Sequence, residues 1–323
     1  MERKIDLVYL WCDGNDIEWR KRRNKYLHGV DTSDEQSFCE GRVVDNNDLL
    51  YSLRSAEICA PWINHIYIIT DNQCPKWLDL TNDRLTVVDL REICDEEILP
   101  LYNSTSIELN IHKIKGLSEY YIYANDDMMF GRAISPDFFF TNDGKVKCRV
   151  VKRRINTKSQ QTYKITINRV IKTIVSDFGE EYNDLQPHHQ IDAYLKSSVA
   201  ECVEKYAEWS QKTLNNRFRS PEDMQRHILV LYALATKRGV MICRTGFWIP
   251  KVIKPLMALL GLSDGVDSHY YSVRRKNIVS KVKRYRPALI CFNDGDRVKE
   301  HHRTRLKKVY EELFPLKSSF ERG

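Results

Sequence analysis

The chain has 323 residues, 42% of them hydrophobic, and a formal net charge of +7. This length predicts a substantial core, in one large domain or in two closely joined ones. No uninterrupted apolar stretch of about 18 residues and no signal-like segment before Ile5 are present, which predicts a cytoplasmic protein. Its nine cysteines form no CxxC pair and no Cys/His cluster at zinc-ligand spacing, which indicates reduced thiols.

Four short apolar runs in the first half predict the strands of a wound α/β sheet. They are Ile5–Trp11, His65–Asp71, Arg84–Leu90 and Tyr120–Asp126. Between the first two runs, apolar residues at helical spacing predict a helix that ends at Pro61. The predicted fold is therefore a Rossmann-like, GT-A-like mixed α/β sheet with helices on both faces.

Acids or amides follow three of these four predicted strands. Asp13 and Asp16 follow the first, Asp71 follows the second, and Asp126 and Asp127 follow the fourth. A single acid at a strand end is usually a cap or turn residue, but three sets at one edge indicate a polar cleft. Adjacent acids repel each other unless a positive charge lies beside them, so Asp126 and Asp127 predict a bound divalent cation.

The pattern changes from about Cys148 onward, where three amphipathic stretches predict helices. These stretches are Thr166–Gly179, His189–Trp209 and Ser220–Gly239. In the last one, Ser220 is a plausible cap and Pro221 occupies the first helical position. The later segment Lys283–Asp296 predicts a strand that returns to the same edge of the sheet.

This organisation predicts one unit with three parts. Residues 1–146 are predicted to form an α/β part that carries the cation site and a ligand cleft, and residues 147–282 a mainly helical insertion or lid. Residues 283–323 contain the return strand and a basic C-terminal helix.

Basic residues are concentrated late in the chain, in Arg274–Arg286 and Arg297–Lys308. A solvated helix face is the more common interpretation of either cluster alone. Together with the apolar segment Trp248–Leu262, they raise the hypothesis of peripheral contact with the inner face of the cell membrane. No zinc finger or RNP motif is present, so no nucleic-acid partner is predicted.

The strand-end acids predict the chemistry of a nucleotide-sugar enzyme. A metal held by such carboxylates bridges diphosphate oxygens and supports the departure of a nucleotide. No GxxxxGK[ST] loop occurs, which disfavours an ATP-hydrolysing P-loop enzyme. The turn Asp13–Asp16 offers backbone N–H groups and flanking acids, although such a turn alone is weak evidence.

Four blocks of the chain resemble the Stealth family of sugar-phosphate transferases, which includes bacterial capsule polymerases and the catalytic subunit of the animal GlcNAc-1-phosphotransferase. The blocks are Ile5–Asp16, Asp45–Leu78, Asn103–Gly131 and Leu289–Asp296; the shorter segments Pro187–Asp192 and Arg217–Gln225 also resemble family segments. The resemblance implies transfer of a hexose-1-phosphate, HexNAc-1-phosphate by expectation, from a UDP-sugar to a hydroxyl of an acceptor glycan. It further implies release of UMP, a phosphodiester product and a place in capsular or other cell-surface polysaccharide biosynthesis. Because the chain is shorter than many capsule polymerases, addition of one sugar phosphate to a lipid-linked acceptor is an alternative to polymerisation.

Resemblance and chemistry together assign the donor side of the site. Asp126 and Asp127 are assigned to Mg²⁺ (or Mn²⁺), with Asn125 positioning them. The other residues assigned to the nucleotide, the metal or the donor pocket are Asp13, Gly14, Asp16, Asn46, Arg54 and Asp71. For Arg54, an intrahelical or surface ion pair is the alternative that the residues alone favour. Asn293 and Asp294 are carried over as residues that line the site.

The general base is predicted to be a histidine, because its ordinary pKa near ~6.5 lets it accept a proton at neutral pH. Alignment with the family's HxID pattern selects His189 over His188. His112 also falls at a family histidine, and a structural role is equally compatible with its position. Arg219 is predicted to supply positive charge to the phosphoryl group.

Two functions from other classes stay open on the sequence alone. A metal-dependent GT-A glycosyltransferase would use the same strand-end acids and would form a glycosidic bond. A non-enzymatic protein that binds an anionic polymer or a membrane would use the basic C-terminal region.

Overall fold

The structure is a computed structural model that describes residues 3–152, 159–243 and 267–323. The segment Trp248–Leu262, on which part of the membrane hypothesis was based, lies outside these residues. In the parts of the chain that are described, no helix combines the length and the apolar character that crossing a bilayer requires.

The strands are short and most are buried. They are β1 (Ile5–Leu10), β2 (Ile66–Thr70), β3 (Leu85–Asp89), β4 (Tyr120–Asn125), β5 (Met128–Phe130), β6 (Val146–Lys152), β7 (Leu185–Pro187), β8 (Asp192–Leu195), β9 (Gly239–Cys243), β10 (Ser268–Ser272) and β11 (Leu289–Asn293).

The α-helices alternate with these strands along the chain, and short 3-10 turns connect several elements. The helices are α1 (Ile17–Leu27), α2 (Glu35–Phe38), α3 (Asp48–Cys59), α4 (Ser104–Glu108), α5 (Thr162–Phe178), α6 (Lys196–Lys205), α7 (Ala207–Leu214), α8 (His227–Ala235), α9 (Ile278–Tyr285) and α10 (Glu300–Leu313).

The main sheet has five strands in the order β3-β2-β1-β4-β8. β1 pairs in parallel with β2 and β4, β2 pairs in parallel with β3, and β8 runs antiparallel to β4. Continuous apolar runs form the central strands because they are covered on both sides, as in parallel sheets generally. The predicted mixed α/β class is confirmed, and the four predicted strands occur within a residue or two of their expected bounds.

The region after Cys148 is less helical than predicted. β6, β7 and β9 form a separate three-stranded sheet, and β8 joins the main sheet where a helix was expected. The antiparallel pairing of β8 with β4 overrides the helical pattern of the local sequence. Within β8, Asp192 also contacts buried partners, which are described below.

The helix predicted from Ser220 begins later, at His227. Ser220 and Pro221 lie in a turn instead. The Asp223 carboxylate accepts hydrogen bonds from the Ser220 backbone N–H at 2.8 Å and from Asn103 Nδ2 at 2.9 Å. These bonds stabilise a turn in place of a helical start.

The return strand is also placed differently from the prediction. β11 pairs in parallel with β10 and antiparallel with β5, in a second three-stranded sheet. It therefore does not rejoin the main sheet. Because β5 follows β4 after only Asp126 and Asp127, β11 still reaches the edge where β4 ends; the Phe292 N–H donates to the Asp127 carbonyl at 2.9 Å.

Candidate functional site

Two adjoining cavities lie at the edge where the parallel strands of the main sheet end. The first cavity is lined at the strand ends by Trp11 and Cys12, by Thr70 and Asp71, by Leu90 and by Asn125–Asp127. The second cavity extends from this edge toward His188 and His189. Ligands of open α/β sheets bind at this end of the strands.

Both cavities share one group of wall residues, which we call the junction. Its members are Ser37, Arg42, Ser104, Asn125, Asp127 and Arg219. A carboxylate, an amide, hydroxyls and two guanidinium groups therefore lie where the cavities meet. A molecule in one cavity would contact a molecule in the other at this place.

A cluster of acids lies on the first-cavity side of the junction. Burial, with the nearby Asp48, raises the pKa of Asp127 to about 7. Burial and Asp48 likewise raise the pKa of Asp45 to about 7. The pKa of Asp126 is raised well above its ordinary value by burial and by Asp48 and Asp127. Ionised together, these groups destabilise the fold unless a cation compensates them.

The arrangement of these acids leaves one oxygen without a partner. Asp127 Oδ1 is sealed from solvent and has no hydrogen-bond partner within the described residues. Asp48 is held more firmly, since Tyr310 donates its hydroxyl to Asp48 Oδ1 and Asn46 donates its backbone N–H to Asp48 Oδ2 at 3.2 Å. No set of three or more His, Cys, Asp or Glu side chains within ranges 3–152, 159–243 and 267–323 is gathered as a metal-ligand group.

The junction also carries two arginines. Arg219 donates from Nη2 to Ser104 Oγ at 2.9 Å, and Arg42 donates from Nε to the Gln36 carbonyl at 2.8 Å. Burial, and then the neighbouring Arg42, lower the pKa of Arg219. Arg42 also lowers the pKa of Asp127, whereas burial raises it. The two cations are thus close enough to influence each other and the acid cluster.

The adjacent histidines of the second cavity differ in their surroundings. His188 Nε2 lies 2.9 Å from Asp192 Oδ1, and its Nδ1 lies 3.2 Å from Ser268 Oγ. His189 Nδ1 is buried and has no hydrogen-bond partner in the described parts of the chain. Burial and Arg226 lower the pKa of His189 to about 3. Its imidazole is therefore neutral at physiological pH, and in the ligand-free protein it is a weak proton acceptor.

A buried ionic network supports the second cavity and was not predicted from the sequence. Arg226 Nη1 lies 2.5 Å from Asp192 Oδ2, and Arg226 Nε lies 3.7 Å from Glu108 Oε2. The Tyr123 hydroxyl donates to Glu108 Oε1 at 3.0 Å. Because β4 supplies Tyr123 and β8 supplies Asp192, the network joins these strands beneath the histidines.

The structure brings most predicted site residues to the two cavities. The first cavity is lined by Asn46, Asp71, Asn125, Asp126, Asp127, Arg219 and Asp294, and the second by Asn125, Asp127, His188, His189, Arg219 and Asn293. Asp294 is already paired, with its Oδ2 2.7 Å from Arg303 Nε. Arg42 and Ser104 were missed because no short motif marks them.

Three predicted residues of the first turn have structural contacts and line neither cavity. Asp16 caps α1, accepting hydrogen bonds from the backbone N–H groups of Glu18 and Trp19. Asp13 Oδ1 accepts from the Asn15 N–H at 2.8 Å. A Cβ on Gly14 would lie 2.2 Å from the Val43 carbonyl oxygen, so this close approach requires glycine.

His112 is likewise absent from the walls of both cavities. It lies in a 3-10 turn, Ile111–Lys113, between the buried residues Ile111 and Ile114. Burial lowers its pKa. This placement fits the structural alternative.

Arg54 is placed away from the donor pocket, contrary to the prediction. Its Nε and Nη2 atoms donate to Glu321 Oε1 and Oε2 at 2.8 and 2.7 Å, and its Nη1 donates to the Phe314 carbonyl at 3.0 Å. The guanidinium group is thus committed to a largely buried pair that attaches the C-terminal segment to α3. The structure thus has an ion pair at Arg54, but a buried one between distant segments and not the intrahelical or surface pair that the residues alone favoured.

We expect Arg54→Ala to lower the free energy of unfolding by roughly 3 kcal/mol, since breaking a buried pair leaves the Glu321 charge uncompensated. The KM for the donor should stay unchanged. Chemical denaturation measures the first effect. The double variant Arg54→Met/Glu321→Met is the control and should recover most of the stability. A large rise in donor KM at unchanged stability would contradict the placement.

The chain is similar to known families and proteins. Family models described as "Stealth protein CR1, conserved region 1" and "Stealth protein CR2, conserved region 2" match residues 3–31 and 42–148. The chain is 32% identical to capsular polysaccharide phosphotransferase LcbA of Aeromonas hydrophila, covering 74% of this chain and 67% of that protein. It is 28% identical to receptor polysaccharide phosphotransferase WefC of Streptococcus gordonii, covering 99% of this chain and 100% of that protein.

Other relatives are longer than the region they share with this chain. Exopolysaccharide phosphotransferase SCO6023 of Streptomyces coelicolor is 36% identical, and the match spans 73% of this chain but 41% of that protein.

Among solved structures, galactosyltransferase LgtC in complex with donor and acceptor sugar analogues has a TM-score of 0.46 at 10% identity, over 95% of this chain and 96% of that one.

These observations define an enzyme of the phosphotransferase class. The chain belongs to the Stealth family. This membership confirms the predicted resemblance, and it decides against the glycosyltransferase and the non-enzymatic binding protein that the sequence left open.

Proposed function

We propose that the protein transfers a sugar-1-phosphate, with HexNAc-1-phosphate as the first candidate, from a UDP-sugar to a hydroxyl of an acceptor glycan. The reaction releases UMP and serves the biosynthesis of a capsular or other cell-surface polysaccharide. The observation that supports this proposal most is the junction, where the two cavities meet at one acid and two arginines. The relatives support the substrate class, because they are capsular, receptor and exopolysaccharide phosphotransferases.

The first cavity suits the nucleotide end of the donor. Its wall includes aromatic residues, among them Trp11, Trp19 and Tyr102, and the rings of Trp19 and Tyr102 pack edge to face at 5.4 Å. Thr70 Oγ1 is buried there without a hydrogen-bond partner in the described residues. A planar base would stack on the rings and satisfy such a polar atom. The diphosphate would then point toward the junction.

Asp126 and Asp127 fit a divalent cation, Mg²⁺ or Mn²⁺. The unpaired Asp127 Oδ1 and the raised pKa of both acids show carboxylates that a positive charge would stabilise. Mg²⁺ is commonly held by one or two carboxylates, with substrate phosphates and water completing its ligands, so a three-residue protein set is not required. When bound, the cation neutralises charge on the pyrophosphate oxygens.

Cation binding is expected to stabilise the protein more at high pH than at low pH. The raised pKa of Asp127 means that the folded state holds its proton more tightly than the unfolded chain, for which the ordinary value is 3.8. The stability of the cation-free protein therefore falls as pH rises toward about 7. Thermal unfolding with and without MgCl₂ at about pH 5 and about pH 8 measures the difference. An equal increase in Tm at both pH values would contradict the assignment.

The second cavity suits the acceptor, whose hydroxyl attacks the sugar-bearing β-phosphorus. His189 takes the hydroxyl proton as the new P–O bond forms and the bond to UMP breaks. The guanidinium groups of Arg42 and Arg219 stabilise the negative charge on the phosphoryl oxygens during this step. Anionic phosphates in the junction also raise the pKa of His189 from its low value in the ligand-free protein, which makes it a stronger base.

Product analysis tests the proposal directly. The protein is incubated with a panel of UDP-sugars and fragments of a cell-surface polysaccharide, and the nucleotide product is identified by chromatography. We expect UMP, together with a phosphodiester resonance in the phosphorus NMR spectrum of the glycan. UDP release with a glycosidic product would overturn it. A lipid-linked acceptor would place the protein at the inner face of the membrane; sedimentation with anionic vesicles at low but not high salt tests that contact.

A further inference from the structure

A third cavity shares part of its wall with the second one. We call it the outer groove; its walls include Tyr26, Asp31, Phe38, Asn215, Arg217 and Phe218. It shares four wall residues with the second cavity, namely Asp34, Thr162, Arg219 and Ser220. Arg219 lines all three cavities. The outer groove therefore borders the second cavity and, at Arg219, also reaches the junction.

We propose that the outer groove binds the sugar units of the acceptor glycan next to the unit that receives the phosphate. The inference rests on the proposed function and extends its acceptor side. A hydroxyl that reaches the junction belongs to a glycan whose neighbouring units must leave the second cavity. The shared residues make the outer groove a route for them.

The groove offers aromatic surface, to which the apolar faces of sugar rings pack. Tyr26 is 37% exposed, and the Arg217 guanidinium lies over its ring at 4.4 Å. Phe218 is buried, stacks on Tyr102 at 5.3 Å and lies 6.1 Å from Phe38. The exposed ring thus belongs to a packed aromatic group, and little ordering is needed when a ligand binds.

Hydrogen bonds hold the walls in place. Arg217 Nε donates to the Pro100 carbonyl at 2.8 Å. Another wall residue, Asp34, accepts hydrogen bonds with its carboxylate from the Thr162 backbone N–H at 3.1 Å and from Ser37 Oγ at 2.9 Å. Asp34 therefore joins the segment after α1 to the start of α5, at the place where the second cavity continues into the groove.

The charge of the groove is balanced. Its charged wall residues are two acids, Asp31 and Asp34, and two arginines, Arg217 and Arg219. Balanced charge gives no net attraction for a polyanion or an anionic lipid headgroup. The remaining polar groups, from asparagine, glutamine, serine and threonine side chains, are donors and acceptors suited to sugar hydroxyls.

The test compares acceptors of two lengths with the variant Tyr26→Ala. The probes are fragments of one repeat unit and of several repeat units from the cell-surface polysaccharide of the encoding organism. We expect the longer fragment to bind roughly tenfold more weakly to the variant, as the loss of one aromatic contact predicts. Binding of the single unit should not change. Calorimetry measures binding without turnover, and KM values for both fragments provide a second readout.

Tyr285→Ala is the matched control. This tyrosine also lies beneath a guanidinium group, that of Arg284 at 5.7 Å, but it lines none of the three cavities. Asp31→Ala, at an exposed position, is a second groove variant with the same expected dependence on length. Equal losses for both fragments, or no loss for the longer one, would overturn the inference.

The two proposals, the function and the role of the groove, fail through different experimental results. If no UDP-sugar yields UMP, that function is wrong, whereas the calorimetric difference between long and short fragments is still measurable. If UMP is released but Tyr26→Ala acts equally on both lengths, the function stands and the role of the groove is wrong.

Discussion

Asp127→Asn is expected to abolish measurable UMP release, a loss of at least about 10²–10³-fold, while the protein remains folded. The variant removes the unpaired carboxylate oxygen at the junction, where both cavities meet. An amide in its place keeps the shape but holds a divalent cation less strongly. Initial rates with saturating UDP-sugar and MgCl₂ measure the effect.

Stability separates this explanation from misfolding. Burial and Asp48 raise the pKa of Asp127 to about 7, so its ionised form destabilises the fold above that pH. The variant should therefore unfold at an equal or higher temperature near pH 8, as thermal denaturation would show. It should also lose the increase in Tm that MgCl₂ gives the wild type.

Asp16→Asn is the matched control for this substitution. Asp16 is another acid at a strand end, but it caps α1 and lines neither cavity. Asparagine is also a good N-cap, so neither stability nor activity should change much. Full activity of Asp127→Asn, or wild-type activity in excess chelator, would show that the carboxylate and its cation are not needed.

His189→Ala is expected to lower kcat by roughly 10²–10⁴-fold and to leave the KM for the donor nearly unchanged. The imidazole lies in the second cavity, and the variant removes the proton acceptor without touching the first cavity. Steady-state kinetics with the donor varied at saturating acceptor separates the two parameters. His112→Ala is the control, because His112 lines neither cavity.

The pH profile gives this prediction a second readout. In the ligand-free protein His189 has a pKa of about 3 and Asp127 a pKa of about 7. At limiting MgCl₂, protons compete with the cation for Asp127, so the acidic limb of kcat/KM in the wild type should follow this residue, with activity lost as pH falls below about 7. That limb should persist in His189→Ala at a lower rate. A variant with unchanged kcat would exclude His189 as the base.

The main sheet was predictable because its strands are local signals. Apolar runs such as those of β1 and β4 can be buried only inside a layered α/β fold, and their ends place Asp126 and Asp127 at the ligand edge. β8 and the start of α8 were mispredicted for a physical reason. Asp192 and Asp223 have buried partners distant in sequence, and these contacts outweigh the helical periodicity of the surrounding residues.

The same contrast applies to single residues of the site. Arg54 and Arg42 are both arginines in the region between the first two strands, and nothing local distinguishes their roles. The C-terminal segment supplies Glu321 to Arg54, while Arg42 remains at the junction beside Asp127 and Arg219. Asp16 is a cap and Asp127 a junction residue, although both follow strands.

The sequence by itself determined the α/β class, the family and the adjacent acids at the end of β4, because these depend on patterns within short segments. Only the tertiary structure decided which acids and arginines face the cavities, that β11 pairs outside the main sheet, and that the outer groove continues the second cavity. Burial and ion pairing arise between residues far apart in the chain. The same side chain can therefore be a cap, a buried partner or a site residue, depending on what folding brings beside it.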